Sequence, residues 1–311
     1  MIRASALFLM ALAPPAGAFE LAMPLACDLG KTCYIQQFPD HDPGPGATDF
    51  TCGTLSYEGH DGTDFALPSR AAMAAGVQVL AAAPGVVKGT RDGVADFVPP
   101  VPGKECGNGV VIDHGQGWET QYCHMKAGSV AVKPGARVEA GAVLGLVGQS
   151  GMAEFPHMHL SVRKNGAELD PFAPEATACG SSGADLWATD LPMQPGGLIA
   201  MGITDHVPEY EAIKAGLPSD DLAATAPALV VWAFVFGTKP GDALIFSLVG
   251  PEGNVVSERV LLEKTQAMAF RAVGKKLRAA GWPEGRYAGE AVMMRGATEL
   301  GRGEIAVTVG P

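Results

Sequence analysis

The chain has 311 residues, a formal net charge of −11 and 41 glycines with 24 prolines. No basic cluster is present, which argues against nucleic acid and against an anionic membrane surface as partners. The length exceeds one typical domain of ~100–150 residues, so more than one is expected.

In chain order, residues 1–18 read as a secretory signal peptide. Arg3 supplies the positive start, Leu7 to Leu12 a short apolar core, and Ala16-Gly17-Ala18 a small-residue cleavage site. That apolar run is too short for a membrane span of about 20 residues, and no later stretch is long enough. The expected mature chain is therefore exported, to the periplasm or outside the cell. All six cysteines (Cys27, Cys33, Cys52, Cys106, Cys123 and Cys179) lie beyond this segment. An even count without a Cys-x-x-Cys pair reads as disulfides in an oxidising compartment. Six cysteines leave the pairing open.

Residues 19–50 form an N-terminal segment that either packs beside the next block or occludes it. Residues 51–175 carry short β-branched runs between turn signals: "VQVLAAA", "GVVKGT", "GVVIDH", "ETQYCH", "AVLGLVG" and "HMHLSV". This rhythm predicts an all-β domain. "NGVVIDHGQGWETQYCH" reads as a hairpin turning between His114 and Gly117, and "VAVKPGARVEAGAVLGLVG" as a second one. Residues 176–197 have linker composition. Residues 198–311 alternate strands with Lys-Pro-Gly-Asp, Gly-Pro-Glu-Gly-Asn and Trp-Pro-Glu-Gly turns, which predicts an accessory β-sandwich of immunoglobulin or fibronectin type. The Cys…Trp…Cys hallmark of true immunoglobulin domains is missing. Trp232, Phe234 and Phe236 alternate on one strand and are expected in the sandwich core.

Chemistry concentrates on a few of the seven histidines. "GHDGTDFA" places His60 four residues before Asp64. Gly59 and Gly62 disfavour a helix there, whereas a glycine turn entering a strand brings both side chains together. "PHMHL" places His157 and His159 two apart, on one face if the segment is a strand, with Met158 on the other. His124 ends the strand "ETQYCH". The same alternation sets Cys123 on the face away from His124 and favours a Cys106–Cys123 bridge. Histidine and carboxylate are donors that zinc accepts, and three such donors leave a position open for catalysis. Spacing alone does not decide which of His157 and His159 is a ligand. His114 reads as structural, and His41 and His206 as loop residues.

These motifs, in this order, resemble the lysostaphin-type (LytM-like) zinc metallopeptidases, which cut peptide cross-links of bacterial cell walls. The resemblance spans about residues 50–172. It implies an antiparallel β-sheet core with a loop-walled groove. It implies one zinc ion held by His60, Asp64 and His159, with His124 and His157 as unligated catalytic histidines. The assignment of base and oxyanion donor between those two stays open. The implied substrates are peptidoglycan peptides, with a catalytically silent, wall-binding or regulatory domain as the alternative. Two segments depart from the family pattern: Glu154-Phe155-Pro156 before the His pair, and the long insertion 91–106. The C-terminal block shows no catalytic set and is expected to bind wall or a partner protein, or to act as a spacer.

Overall fold

The computed structural model describes residues 18–181 and 183–311; apart from Ala18, the expected signal peptide lies outside them. The N-terminal half comprises β1 (Tyr34–Gln37), β2 (Thr63–Ala66), α1 (Arg70–Ala75), β3 (Gln78–Leu80), β4 (Gly85–Arg91), β5 (Asn108–Gly115), β6 (Trp118–Met125), β7 (Arg137–Val138), β8 (Val143–Leu146), β9 (His157–Lys164) and β10 (Ala167–Leu169). The main sheet runs β1-β2-β9-β6-β5-β4-β7, with β10 on β9. Every pairing in it is antiparallel.

β5 and β6 form a hairpin whose two loop residues, Gln116 (φ 52°) and Gly117 (φ 80°), are both left-handed. Such a loop matches the twist of the flanking strands. The segment expected to be a second hairpin is not one. β7 pairs with β4, and β8 pairs with β3 in a separate two-stranded sheet. Gly141 (φ 82°) turns the chain between them, so the consecutive strands serve different sheets.

The C-terminal half comprises β11 (Gly197–Thr204), α2 (Tyr210–Ala215), β12 (Leu222–Ala223), β13 (Ala228–Thr238), β14 (Ala243–Gly250), β15 (Gly253–Leu261), β16 (Gln266–Lys276), β17 (Gly285–Arg295) and β18 (Thr298–Gly310). One sheet runs β11-β13-β16, and the other β12-β18-β17-β14-β15. Leu229, Val231, Ala233 and Val235 of β13 share a core with Leu244, Phe246, Tyr287 and Val307 of the second sheet. No helix among the described residues is long and apolar enough to cross a membrane.

β13 is apolar almost throughout, and both of its faces are buried. A strand covered on one side only would alternate apolar and polar. Trp232, Phe234 and Phe236 are therefore not in the sandwich core. Trp232 and Phe234 face outward, onto Ile213 of α2. Phe236 belongs to the N-terminal core and packs on Tyr34 of β1, with ring centroids 4.7 Å apart. Gln36 Nε2 donates to the Ala267 carbonyl at 2.8 Å, and Arg70 binds the Glu211 carboxylate at 3.0 Å. The two halves are thus joined by a side-chain-packed seam.

Within the stretch of linker composition, two residues are tied to the N-terminal half. Cys179 is bonded to Cys52, and Trp187 is buried beside Phe65 and Phe172. The remaining bridges are Cys27–Cys33 and Cys106–Cys123.

Phe236→Ala should cost about 3–5 kcal/mol, the usual range for deleting a buried ring. Because this ring sits on one half and in the core of the other, calorimetry should show the unfolding of both halves shifted. A shift confined to one transition would contradict the shared seam.

Candidate active site

The site forms where β2, β9 and β6 lie side by side. Asp64 of β2 stands directly opposite His159 of β9, and Ala66 opposite His157. Strand alternation turns His157 and His159 to one face and sends Met158 and Leu160, both fully buried, to the other. His60 reaches the same point from the turn before β2, where Gly59 is left-handed (φ 72°). Gly62 allows the close approach: a Cβ there would collide with His159 Nε2 and stand 2.6 Å from the Leu160 carbonyl oxygen.

His60, Asp64 and His159 thereby converge as a buried group of potential metal donors. His60 Nε2 is 3.2 Å from His159 Nδ1 and 3.3 Å from Asp64 Oδ1. His159 Nδ1 is 2.9 Å from Asp64 Oδ1. A tetrahedral zinc with arms of about 2.0–2.1 Å needs neighbouring donors about 3.3 Å apart. Two of the three separations meet that value, and the third is that of a hydrogen-bonded pair that opens by a few tenths of an ångström. The donor set therefore fits a zinc ion.

The outer atoms of the rings are also engaged. His60 Nδ1 donates to the Phe38 carbonyl at 2.8 Å, which leaves the Nε2 lone pair facing the centre. His159 Nε2 meets Asp61 Oδ1 at 3.1 Å and Ser161 Oγ at 3.2 Å, so its Nδ1 faces inward. Such outer partners orient a metal-binding imidazole and raise its basicity. The N-terminal segment accordingly packs beside the groove: Phe38 lies just after β1, and the Asp40 amide donates to the His60 carbonyl at 2.8 Å.

The two other histidines share a design. His157 Nδ1 donates to the Phe155 carbonyl and His124 Nδ1 to the Ser150 carbonyl, both at 2.8 Å. A carbonyl can only accept, so the proton sits on Nδ1 and Nε2 keeps its lone pair. His157 Nε2 lies 3.6 Å from Asp64 Oδ1, and the His124 and His157 rings are 4.5 Å apart. Burial pushes His157 down, and burial with the neighbouring His157 and His159 pushes His124 down to about 3. Both are neutral bases at pH 7. Burial would raise the Asp64 carboxyl, but the His157 and His60 rings and the bond from His159 hold it well below the usual carboxylate range. Burial would lower His159, yet the bonds to Asp61 and Asp64 win and raise it to about 9.

His124 departs from simple strand geometry. Its backbone is left-handed (φ 61°), a conformation that is uncommon outside glycine and costs energy. That break swings His124 to the site face. Cys123 stands opposite His159, so it too lines the groove rather than the far face. The groove, of about 150 Å³, is also lined by Tyr57, Asp61, Met152 and Arg163. The Tyr57 ring lies 4.4 Å from that of His60. The insertion 91–106 walls it through Glu105 and Cys106, while Phe97, Val98 and Val101 project into solvent.

The other histidines lie apart. His114 is held by the Pro84 carbonyl and Thr120 Oγ1. His206 is an exposed partner of Asp205. His41 is more than a loop residue: its ring pairs with buried Asp170 at 2.9 Å. Sequence reasoning missed Asp61, although it stands beside His60 in "GHDGTDFA", and missed the two carbonyl acceptors, which carry no side-chain signal.

Residues 58–171 match the model of Peptidase family M23. This segment is a domain of that family. Over 114 residues the chain is 36% identical to the DD-carboxypeptidase/endopeptidase Mpg of Neisseria meningitidis serogroup B, covering 36% of this chain and 22% of that protein. Over 111 residues it is 35% identical to the peptidoglycan DD-endopeptidase ShyA of Vibrio cholerae serotype O1, again covering 36% and 22%. The chain thus spans about a fifth of the length of the curated relatives it matches. Among solved structures, the catalytic domain of the prophage-encoded M23 protein EnpA from Enterococcus faecalis aligns at 24% identity and a TM-score of 0.35, over 51% of this chain and 100% of that one. All five residues, His60, Asp64, His124, His157 and His159, lie within the M23 span.

Two outcomes follow from the electrostatics. Asp61→Asn should weaken zinc binding about 10- to 100-fold, as loss of an outer partner does; competition with a chelator of known affinity measures it. In the metal-free protein His159 is protonated below about pH 9, and a metal must displace that proton. Asp64 is already ionised and adds no pH dependence above neutrality. Apparent zinc affinity should therefore climb with pH, by about tenfold per unit, and level off above the His159 pKa. Flat affinity from pH 7 to 9 would contradict it.

Proposed function

We propose that this protein is an exported zinc metalloendopeptidase that hydrolyses peptide bonds in peptidoglycan stem peptides or cross-links. The observation that carries this reading is the arrangement at β2, β6 and β9. Three buried donors converge, two of their three separations already at zinc spacing, and two neutral histidines present Nε2 beside them. The named activities of the curated relatives over the same span support the substrate class. Export is supported by the signal-like start and by three disulfides, which suit an oxidising compartment.

His60 Nε2, Asp64 Oδ1 and His159 Nδ1 would hold the zinc ion. Bound zinc polarises a carbonyl and lowers the pKa of water to about 7. His124 Nε2 and His157 Nε2 each present a free lone pair that can accept the proton of the attacking water and return it to the leaving amine. Whichever ring carries the proton can also donate a hydrogen bond to the oxyanion of the tetrahedral intermediate. The carbonyls of Ser150 and Phe155 keep both rings in the tautomer this requires. Gly62 lets the donor strands close, and Tyr57 and Met152 line the groove where a peptide would lie.

We also read the C-terminal half as an immunoglobulin-type sandwich. The order β11-β13-β16 against β12-β18-β17-β14-β15 fits an A-B-E sheet facing A′-G-F-C-C′. Tyr287, near the start of β17, sends its hydroxyl back to the Pro283 carbonyl at 2.9 Å, as a tyrosine corner does. The domain limits that go with this reading are 51–175 and 198–311, joined by 176–197.

Purified protein should hold one zinc per chain and clear a suspension of sacculi. His159→Ala should lose the metal. His124→Ala and His157→Ala should each keep it while activity falls about 10²- to 10⁴-fold. Stoichiometric zinc with no cleavage of sacculi or muropeptides would favour a silent, wall-binding domain.

A further inference from the structure

We propose that the C-terminal domain is part of the catalytic unit and that Phe155 is the positioning residue through which it acts. This rests on the reading of His124 and His157 as the proton-handling groups.

One short loop, 149–156, holds both of those histidines. Its Ser150 carbonyl accepts from His124 Nδ1 and its Phe155 carbonyl from His157 Nδ1. The Phe155 ring stacks on the His157 ring, with centroids 4.5 Å and planes 29° apart. The loop is clamped at its Ser150 end. Ser150 bridges to Asp96, and a Cβ on Gly151 (φ 77°) would collide with the Glu105 carbonyl. The Leu67 amide donates to the Pro156 carbonyl at 2.9 Å, which anchors the backbone just beyond Phe155.

Within the N-terminal half the partly buried side chain of Phe155 packs against the core and shares a small cavity with Tyr34, Leu67 and Gln149. It lies in the narrow seam between the halves, with Phe234 of β13, Met268 of β16 and Lys214 of α2 on the other wall. The Arg70–Glu211 pair holds α2 there, and Gly216 at its end approaches Ala71 so closely that a Cβ would stand 2.7 Å away. A ring backed by another domain on one side and stacked on His157 on the other limits how that imidazole tilts. Orientation of a proton-transfer group is worth much in rate and little in ground-state binding.

The test uses the full-length, zinc-loaded protein and a soluble cross-linked muropeptide dimer. Phe155→Ala should lower kcat about ten- to a hundredfold with KM within about twofold and zinc content unchanged. Phe155→Tyr, which keeps the stacked ring, should restore most of the rate. Met268→Ala, which trims the C-terminal wall of the seam, should lower kcat severalfold. The double variant should be no slower than Phe155→Ala alone, because both changes act through one contact. Wild-type kcat in Phe155→Ala, a change confined to KM, or fully multiplicative losses in the double variant would each overturn the inference. Should Phe155→Ala fail to retain zinc, an unchanged kcat in Met268→Ala overturns it. If His157→Ala is inactive while Phe155→Ala runs at full rate, only this inference fails. If the wild-type protein cleaves nothing, the proposed function fails with it.

Discussion

The pairing of β2 with β9 is the constraint on which the rest of the site depends. It sets Asp64 opposite His159, and the pleat then decides which other side chains share that face. A one-residue slip would turn His157 and His159 into the core and Met158 and Leu160 outward. The register is held because Phe65, Met158 and Leu160 are fully buried on the opposite face. Apolar burial therefore fixes the position of polar donors.

That arrangement gathers four imidazoles and a carboxylate out of water. Each group is tolerable there because it has a partner. His60 and His157 donate to carbonyls, His124 does likewise, and His159 lies between two carboxylates. The consequence is a division of electrostatic roles within a few ångströms. Asp64 is kept ionised and His159 is made basic, whereas His124 and His157 are kept neutral. Perturbation of this kind, from burial plus named charge partners in a groove, is what a site for proton transfer needs.

Parts of this were legible in the chain. The β5–β6 hairpin announces itself by Gln116-Gly117 between β-branched runs, and the His-x-His spacing on a strand forces a shared face. Other parts were misread for identifiable reasons. Alternation predicted Cys123 away from His124, but the left-handed backbone at His124 breaks the period, and no residue type signals that. The glycine-punctuated stretch 130–148 looked like a hairpin, yet its strands pair with β3 and β4. Turn residues show where a chain bends, not which distant edge it then joins. Trp232, Phe234 and Phe236 looked like sandwich core because they are apolar and alternate. Their neighbours on β13 are apolar too, and a strand buried on both faces gives no sign of which face meets which domain.

The sequence by itself narrowed the candidate donors to His60, Asp64, His124, His157 and His159, because zinc-compatible chemistry needs histidine and carboxylate in strand or turn contexts, while spacing left His157 and His159 undivided. It also determined the strand rhythm of both halves. Tertiary structure alone decided that Asp61, the Phe38 carbonyl and the carbonyls of loop 149–156 complete the site, since such contacts join residues far apart in the chain or use backbone atoms common to every residue. It alone decided that Phe236 enters the N-terminal core and that Phe155 shares a seam with Phe234 of β13 and Met268 of β16. Those contacts join two surfaces distant in the chain, and shape complementarity is not written in local spacing.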